Sequence, residues 1–354
     1  MERAVMDGCR SLGMEIWGVD LLAGDVSRRQ YFRLHGPSGN WVACLYPEPF
    51  NSSVGARERW QTLCRQDPDA RLSFSSDPVA YLETTGWFIR CGIPVPGLFG
   101  VVDKLGLVVM EDVGDLSLET IWSRLDRHTL GVVYDLALRY LDSLRKSTAD
   151  ACEQGLLACS LKLDCEKLLS ELYYLLQGIS LLPVTALKAV RKAALLDEWG
   201  MICEEASSEP YVLCHRDYHS RNLFLKGGRV YVLDHQDLRL GNRFYDIVSL
   251  LWDPYVELPS GFRQILLKQH GLGDSAEMAA VVAQRLLKAI GTYINVLLTK
   301  KRPTFMRATR AALRYLSDIL RHGQTQNTAA TQELIGDLWR VLDQFEGQTF
   351  VMDE

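Results

Sequence analysis

At 354 residues, 47% apolar and 23% charged, the chain is long enough for two domains or one large two-lobed unit with a sizeable core. A net charge of −5 gives no bulk attraction to nucleic acid or an anionic membrane, and nine scattered cysteines without a C-x-x-C pair argue against a disulfide framework or a zinc site. Charges run through the first twenty residues and no apolar run reaches membrane-span length, so neither a signal peptide nor a membrane segment is expected, and the setting is a reducing cytoplasm.

Residues 1–20 read as a helix leading to Leu21–Asp25. Val26–Leu34 follows, then the turn cluster His35–Asn40, then a buried strand, Trp41–Tyr46. Residues 47–76, carrying Pro, Ser and Asp, form an irregular connection with room for one short helix. Asp77 caps a helix that starts at Pro78 and runs to about Cys91, where Gly92–Pro96 stops it. Leu105–Met110 is a strand, followed by the acidic turn Glu111–Asp115. From Leu116 the chain turns helical, with apolar residues at i, i+3, i+4 over segments near 116–147, 160–179 and 183–207. The Leu-rich stretch 161–182 is a core-facing helix, since it holds too few heptads for a partner zipper. Helices near 274–299, 303–322 and 330–346 close the chain.

The stretch that carries chemistry is Tyr211–Asp237, YVLCHRDYHSRNLFLKGGRVYVLDHQD. An apolar run ends in His215-Arg216-Asp217, and Asn222 follows five residues after Asp217. A second apolar run, Leu223–Leu225, reaches the turn Lys226–Arg229, and a return strand, Val230–Leu233, delivers Asp234. Such a hairpin brings Asn222 and Asp234 to the same end of two paired strands, with Asp217 on the loop before it. Three hard oxygen donors of this kind suit Mg²⁺ and a phosphate-bearing nucleotide. The alternative is a buried hairpin with solvated polar ends.

H-x-D-x-x-x-x-N followed by a strand-terminal Asp resembles the catalytic core of the protein-kinase-like phosphotransferases. His219 in place of a lysine resembles the small-molecule branch, the aminoglycoside, choline and sugar kinases. The longer phrase HRDYHSRN…VLDHQD…GNRFYDIVSLLWDPY most resembles the anomeric kinases of N-acetylmuramate and N-acetylglucosamine. The phrases Gly92-Ile93-Pro94-Val95-Pro96 and Gln284–Tyr293 resemble the same kinases.

This resemblance implies an α+β, protein-kinase-like fold of two lobes. Residues 1–110 would form a β-rich N-lobe, 111–115 a hinge, and 116–354 a helical C-lobe carrying the hairpin 211–237. It implies ATP and Mg²⁺ as cofactors, a small-molecule sugar as partner, and phosphoryl transfer to a hydroxyl. Asp217 would orient the acceptor and take its proton, while Asn222 and Asp234 would hold the metal. Backbone groups from Glu111 to Val113 would bind the adenine edge. The Gly24–Gln30 bend would cover the phosphates, with Ser27 and either Arg28 or Arg29 contributing; the alternative is a surface hairpin with solvated arginines. His219, Gln236 and Asp237 would face the acceptor, His215 would support the loop, and Asp246 would brace it by accepting backbone N–H groups. Asp253 either reaches the acceptor or serves as a solvated or capping aspartate. Arg285 and Lys288 share a helix face and either bind an anionic substrate group or form a salt-bridged surface.

One feature departs from the wider pattern. The third-strand lysine would fall near Cys44, and the chain has no lysine before Lys104. Arg28, Arg29 and Arg33 are the local cations that remain, and Glu83 loses its usual partner. That gap keeps a nucleotide-binding pseudokinase open as an alternative, against which the retained Asp217, Asn222 and Asp234 argue. An aminoglycoside kinase is a second alternative. From His235 to Arg302, however, six acidic residues face nine basic ones, a balance that suits a neutral or anionic acceptor over a polycation.

Overall fold

The computed structural model describes residues 1–22, 29–66, 77–182, 192–259, 261–273, 275–300, 304–321 and 328–349. In chain order the elements are α1 (Glu2–Ser11), β1 (Gly18–Leu22), β2 (Gln30–Gly36), β3 (Gly39–Leu45), α2 (Ala56–Gln66), α3 (Pro78–Arg90), β4 (Leu98–Val102) and β5 (Leu107–Glu111). Then come α4 (Leu118–Ile121), α5 (Arg127–Lys146), α6 (Thr148–Glu153), α7 (Cys165–Ser180), α8 (Lys192–Ala206) and four short strands. Those strands are β6 (Tyr211–Cys214), β7 (Leu223–Lys226), β8 (Arg229–Val232) and β9 (Arg239–Asn242). Five helices finish the chain: α9 (Tyr245–Leu251), α10 (Phe262–Gln269), α11 (Ala276–Lys300), α12 (Thr304–Arg321) and α13 (Ala329–Thr349). They divide into two compact units, the first made of 1–126, 142–161 and 221–238, the second of 127–141, 162–220 and 239–354.

The first unit is built on an antiparallel sheet of order β1-β2-β3-β5-β4. Strand side chains alternate between faces, and here both faces are apolar. Phe32, Leu34, Ala43, Leu107 and Val109 pack one way, against Val5 and Cys9 of α1. Cys44, Val108 and Met110 pack the other way, against Val79, Ala80 and Tyr81 of α3. Helix α1 lies so close that a Cβ on Gly8 would meet Leu107 at 2.6 Å. The hairpin β7–β8 belongs to this unit because its edges bond into it: Leu225 N–H donates to Leu116 C=O and Val232 N–H to Pro94 C=O.

Helix α3 starts where Asp77-Pro78 places it. The Asp77 carboxylate accepts the N–H groups of Val79 and Ala80 at 2.8 and 3.1 Å, and Arg59 holds that carboxylate from 3.0 Å. The expected helix over 1–20 is shorter. Gly13, at φ +75°, turns the chain after Leu12, and Gly18–Leu22 becomes an edge strand paired to His35–Tyr31. The connection 47–76 holds the eleven-residue α2; its remainder, 67–76, lies outside the described residues. Segment 116–147 is two helices, α4 with a Ser117 cap and then α5.

The second unit is helical, with the two-stranded sheet β6–β9 at the loop that carries Asp217. Helix α11 is long and apolar enough to cross a membrane by length and composition, but most of it is buried within the unit. It packs on α7, where a Cβ on Gly291 would stand 2.9 Å from the Leu175 backbone, and Asn295 donates to Tyr174 C=O at 3.1 Å.

Asp77→Ala removes a cap bonded to two N–H groups and the partner of Arg59. It should lower stability by about 1–2 kcal/mol, read as a fall in the denaturant midpoint at unchanged slope. An unchanged midpoint contradicts that assignment.

Candidate active site

A cavity of 720 Å³ opens in the first unit. Its walls are mostly apolar, with Leu22, Val42, Met110, Phe224 and Leu233 among them, and Asn222, Asp234 and Arg29 stand in it as well. The hairpin explains why two of those groups meet: β7 and β8 pair Leu223 with Val232, and Leu233 N–H then donates to Asn222 C=O at 2.9 Å. Asp234 follows in the left-handed region at φ +61°, a conformation that aspartate tolerates better than most residues. Its Oδ1 accepts from Arg29 Nη2 at 3.0 Å and from Gln236 Nε2 at 2.8 Å.

Of the three arginines that line this cavity, Arg29, Arg33 and Arg221, Arg29 is the one bonded to Asp234. It is buried, and its Nε has no hydrogen-bond partner among the described residues. Cys44 occupies the position on β3 expected for a strand lysine, paired in register with Tyr31 and Val108, and burial pushes its thiol up to about 11. Arg33 also lines the cavity but is paired there, with Asp112 at 2.7 Å and Asp115 at 2.8 Å. Ser27 and Arg28 lie outside the described residues. Glu83, expected to lack a partner, accepts the Leu157 N–H at 3.0 Å, and burial pushes its carboxyl up.

Strand β5 of the sheet delivers Glu111–Val113 to the cavity wall. Glu111 N–H donates to Gly97 C=O at 2.7 Å, and its carboxylate accepts Lys226 Nζ at 2.7 Å. Burial opposes the charge on Glu111, but Lys226 outweighs it and holds the carboxyl below its usual value. Lys226 also donates to Asp112 C=O at 2.8 Å, so the turn is tied to the β7–β8 hairpin.

Asp217 stands in the second unit with its side chain 34% exposed. Arg285 Nη1 and Lys288 Nζ each lie 3.6 Å from its Oδ1. Partial burial opposes its ionisation, but Lys288, Arg216 and Arg285 prevail and hold the carboxyl well below the usual range. The loop around it is fixed by two more buried carboxylates. Asp246 accepts His215 N–H at 2.6 Å and Arg216 N–H at 2.9 Å. Asp253 accepts Ser220 N–H at 2.8 Å and Tyr255 N–H at 2.8 Å.

Of the two alternatives for Asp253, then, the geometry is that of a capping carboxylate. Arg285 and Lys288 are salt-bridged, the second of their two alternatives, but inward to Asp217 and Glu171 and not on the surface. His215 is fully buried with its ring against Tyr218, and the His219 ring stands 5.6 Å from that of Tyr255. Gln236, expected on the acceptor side, lines the first unit's cavity against Asp234, and Asp237 closes the 3-10 turn that begins at His235.

Glu171, Lys167 and the side chain of Arg216 belong to this second site and were not singled out from the sequence. Glu171 is buried and pairs with Arg216 at 2.8 Å, Lys167 at 3.5 Å and Lys288 at 3.6 Å. A signal was present: Lys167 and Glu171 interrupt the apolar stripe Leu168, Leu172, Leu175 of α7 at a spacing of four, charges where a core face was expected.

A β-sheet N-terminal part, a helical C-terminal part and the Asp217–Asn222–Asp234 spacing define the protein-kinase-like α+β class of phosphotransferase. The chain belongs to the phosphotransferase enzyme family, whose model matches residues 18–281. The fold is shared with a choline kinase from Streptococcus pneumoniae (TM-score 0.55, 11% identity, covering 89% of this chain and 98% of that one). It is shared also with an ADP-bound aminoglycoside phosphotransferase (TM-score 0.52, 15% identity, 90% and 99%). In sequence the chain is similar to the N-acetylmuramate/N-acetylglucosamine kinase of Neisseria meningitidis serogroup B, 26% identical over 242 residues, 68% of this chain and 63% of that protein. A kinase of the same name from Pseudomonas aeruginosa is 23% identical over 318 residues, 83% of this chain and 81% of that protein. The match to the Neisseria relative thus spans under two-thirds of its length.

Asp246→Ala would leave two N–H groups, that of His215 buried and that of Arg216 partly so, without their charged acceptor. A loss of about 3 kcal/mol follows, measurable by chemical denaturation; a loss below half of that would show the loop is held by other means.

Proposed function

We propose that the protein transfers the γ-phosphoryl group of ATP, with Mg²⁺, to the anomeric hydroxyl of an N-acetylated amino sugar, N-acetylmuramate or N-acetylglucosamine. The observation that carries this reading is the cavity of the first unit, in which Asn222, Asp234 and Arg29 stand together beside an apolar slot closed by Glu111–Val113. An apolar slot suits a purine ring, and a guanidinium next to two oxygen ligands suits a polyphosphate.

The donor set also fits Mg²⁺, which is generally held by one or two carboxylates together with substrate phosphates and water. The Arg29 Nη2 contact, 3.0 Å from Asp234 Oδ1, supports positive charge at that oxygen. Among the described residues there is no cluster of three or more His, Cys, Asp or Glu that would form an all-protein cage, and Mg²⁺ on a nucleotide requires none. Bound there, the ion would offset phosphate charge and help orient the triphosphate.

This chain's own residues would do the rest. Arg29 takes the phosphate-gripping part that a strand lysine plays elsewhere, with Ser27 and Arg28 as neighbours in sequence. Val113 and the Glu111 backbone bind the adenine edge. Asp217 accepts the hydroxyl of the acceptor; as the acceptor oxygen bonds to phosphorus and the bridge to ADP breaks, the proton passes to the Asp217 carboxylate. A strongly acidic carboxyl takes a proton only late, once the hydroxyl has lost most of its electron density, which fits a loose transition state.

Charge selects the acceptor. Arg285 and Lys288 stand at 3.6 Å from the proposed base, a poor environment for the amino groups of an aminoglycoside and a tolerant one for a neutral or carboxylated sugar. The names of the relatives point the same way.

ADP release with ATP and Mg²⁺ over a panel of N-acetylglucosamine, N-acetylmuramate, their methyl glycosides, kanamycin and choline tests this reading. Turnover is expected with the free sugars and not with the glycosides, whose anomeric oxygen is blocked. Turnover with kanamycin alone would make the protein an aminoglycoside kinase. Nucleotide binding without ADP release from any acceptor would make it a pseudokinase.

A further inference from the structure

The group beside Asp217 that carries the most unexplained charge is Lys288. Its ammonium lies 3.6 Å from Asp217 Oδ1 and 3.6 Å from Glu171 Oε2, buried and without a hydrogen bond among the described residues. A lysine kept for packing alone would snorkel its charge toward water. This one instead rests midway between two carboxylates, on the same Asp217 oxygen as Arg285 Nη1. Glu171, in turn, is the counter-charge for three cations: Arg216 at 2.8 Å, Lys167 at 3.5 Å and Lys288.

We propose that Lys288 is a positioning residue for the reaction: suspended between Glu171 and Asp217, its ammonium holds Asp217 as a carboxylate and, with Arg285, clamps it through Oδ1. The inference rests on Asp217 being the residue that meets the acceptor hydroxyl. Its logic is electrostatic. A partly buried carboxyl favours its neutral form unless cations stand within about 4–6 Å, and two do so through one oxygen. Clamping Oδ1 from one side fixes the plane of the carboxylate toward the acceptor. Glu171 has the complementary task. Burial lowers the pKa of Lys288, and the two carboxylates counter that by favouring its ammonium. The other groups that act on Asp217 are Arg216 and His219 on its loop and Tyr245 on α9; around them, Lys167 on α7 and Arg239 on β9 stand with Glu171, Arg216 and Lys288, and Asp246 on α9 faces His215 and Arg285. Lys288 bridges the two carboxylates directly, at 3.6 Å from each.

Lys288→Met keeps the length of the side chain and removes the charge. The Asp217 carboxyl, followed by ¹³C NMR without any acceptor, is then expected to titrate about one pH unit or more higher than in the unaltered protein. The acid limb of kcat/KM should move up by the same amount, while Mg²⁺·ATP affinity stays within twofold. Lys288→Arg should return both toward their original positions. Glu171→Gln keeps the test open if Lys288→Met does not fold: it removes the counter-charge, so the alkaline limb should come down as Lys288 loses its proton earlier. An Asp217 titration and acid limb unmoved in Lys288→Met, or an alkaline limb unmoved in Glu171→Gln, overturns the proposal. Because the carboxyl titration needs no acceptor, a shifted Asp217 with no kinase activity on any sugar would uphold Lys288 while sinking the amino-sugar reading.

Discussion

Two buried carboxylates hold the loop from His215 to Ser220, and the chemistry depends on them. Asp246 gathers the N–H groups at the start of the loop and Asp253 the one at its end. Between those anchors Arg216 adopts φ +81°, a conformation a non-glycine residue keeps only when its surroundings impose it. That twist sends the Arg216 side chain to Glu171, 2.8 Å away, and leaves Asp217 against Arg285 and Lys288. Without the two anchors the backbone would relax, and the charge cluster would lose its geometry.

The cluster also shapes the kind of base Asp217 can be. Surrounded by cations, it is a weak proton acceptor with a strongly fixed orientation. Such a group contributes more by aligning a hydroxyl than by pulling its proton away early. This agrees with phosphoryl transfer through a loose transition state, where alignment and charge compensation matter more than nucleophile activation. In the first unit the same economy of parts is visible. The strand position of a lysine is a buried cysteine, and the positive charge enters from Arg29 at the foot of β2, a different point in the chain that serves the same cavity.

Much of this was legible in the sequence, because the informative features are local. A four-residue strand, a Gly227-Gly228 turn and a four-residue return leave little choice of register, so the meeting of Asn222 and Asp234 follows from spacing. Asp77-Pro78 fixes a helix start for the same reason. What spacing could not show are partners far apart in the chain. Arg33, as plausible a phosphate ligand as Arg29 on sequence, is taken by Asp112 and Asp115, 79 and 82 residues away. Glu171 reads as one polar residue of an amphipathic helix until the fold sets Arg216 and Lys288 beside it. The helix drawn through residue 20 failed on a single backbone feature, the left-handed Gly13, whose effect outweighs the helical pattern on either side.

The central claim, that Asp217 takes part in transfer and not in nucleotide binding, is tested most directly by Asp217→Asn, with Mg²⁺·ATP affinity measured by calorimetry and transfer measured in a single turnover. The account predicts affinity within about twofold and a transfer rate lower by about 10²–10⁴. Transfer at the original rate, or a loss of nucleotide affinity as large as the loss of transfer, would contradict it.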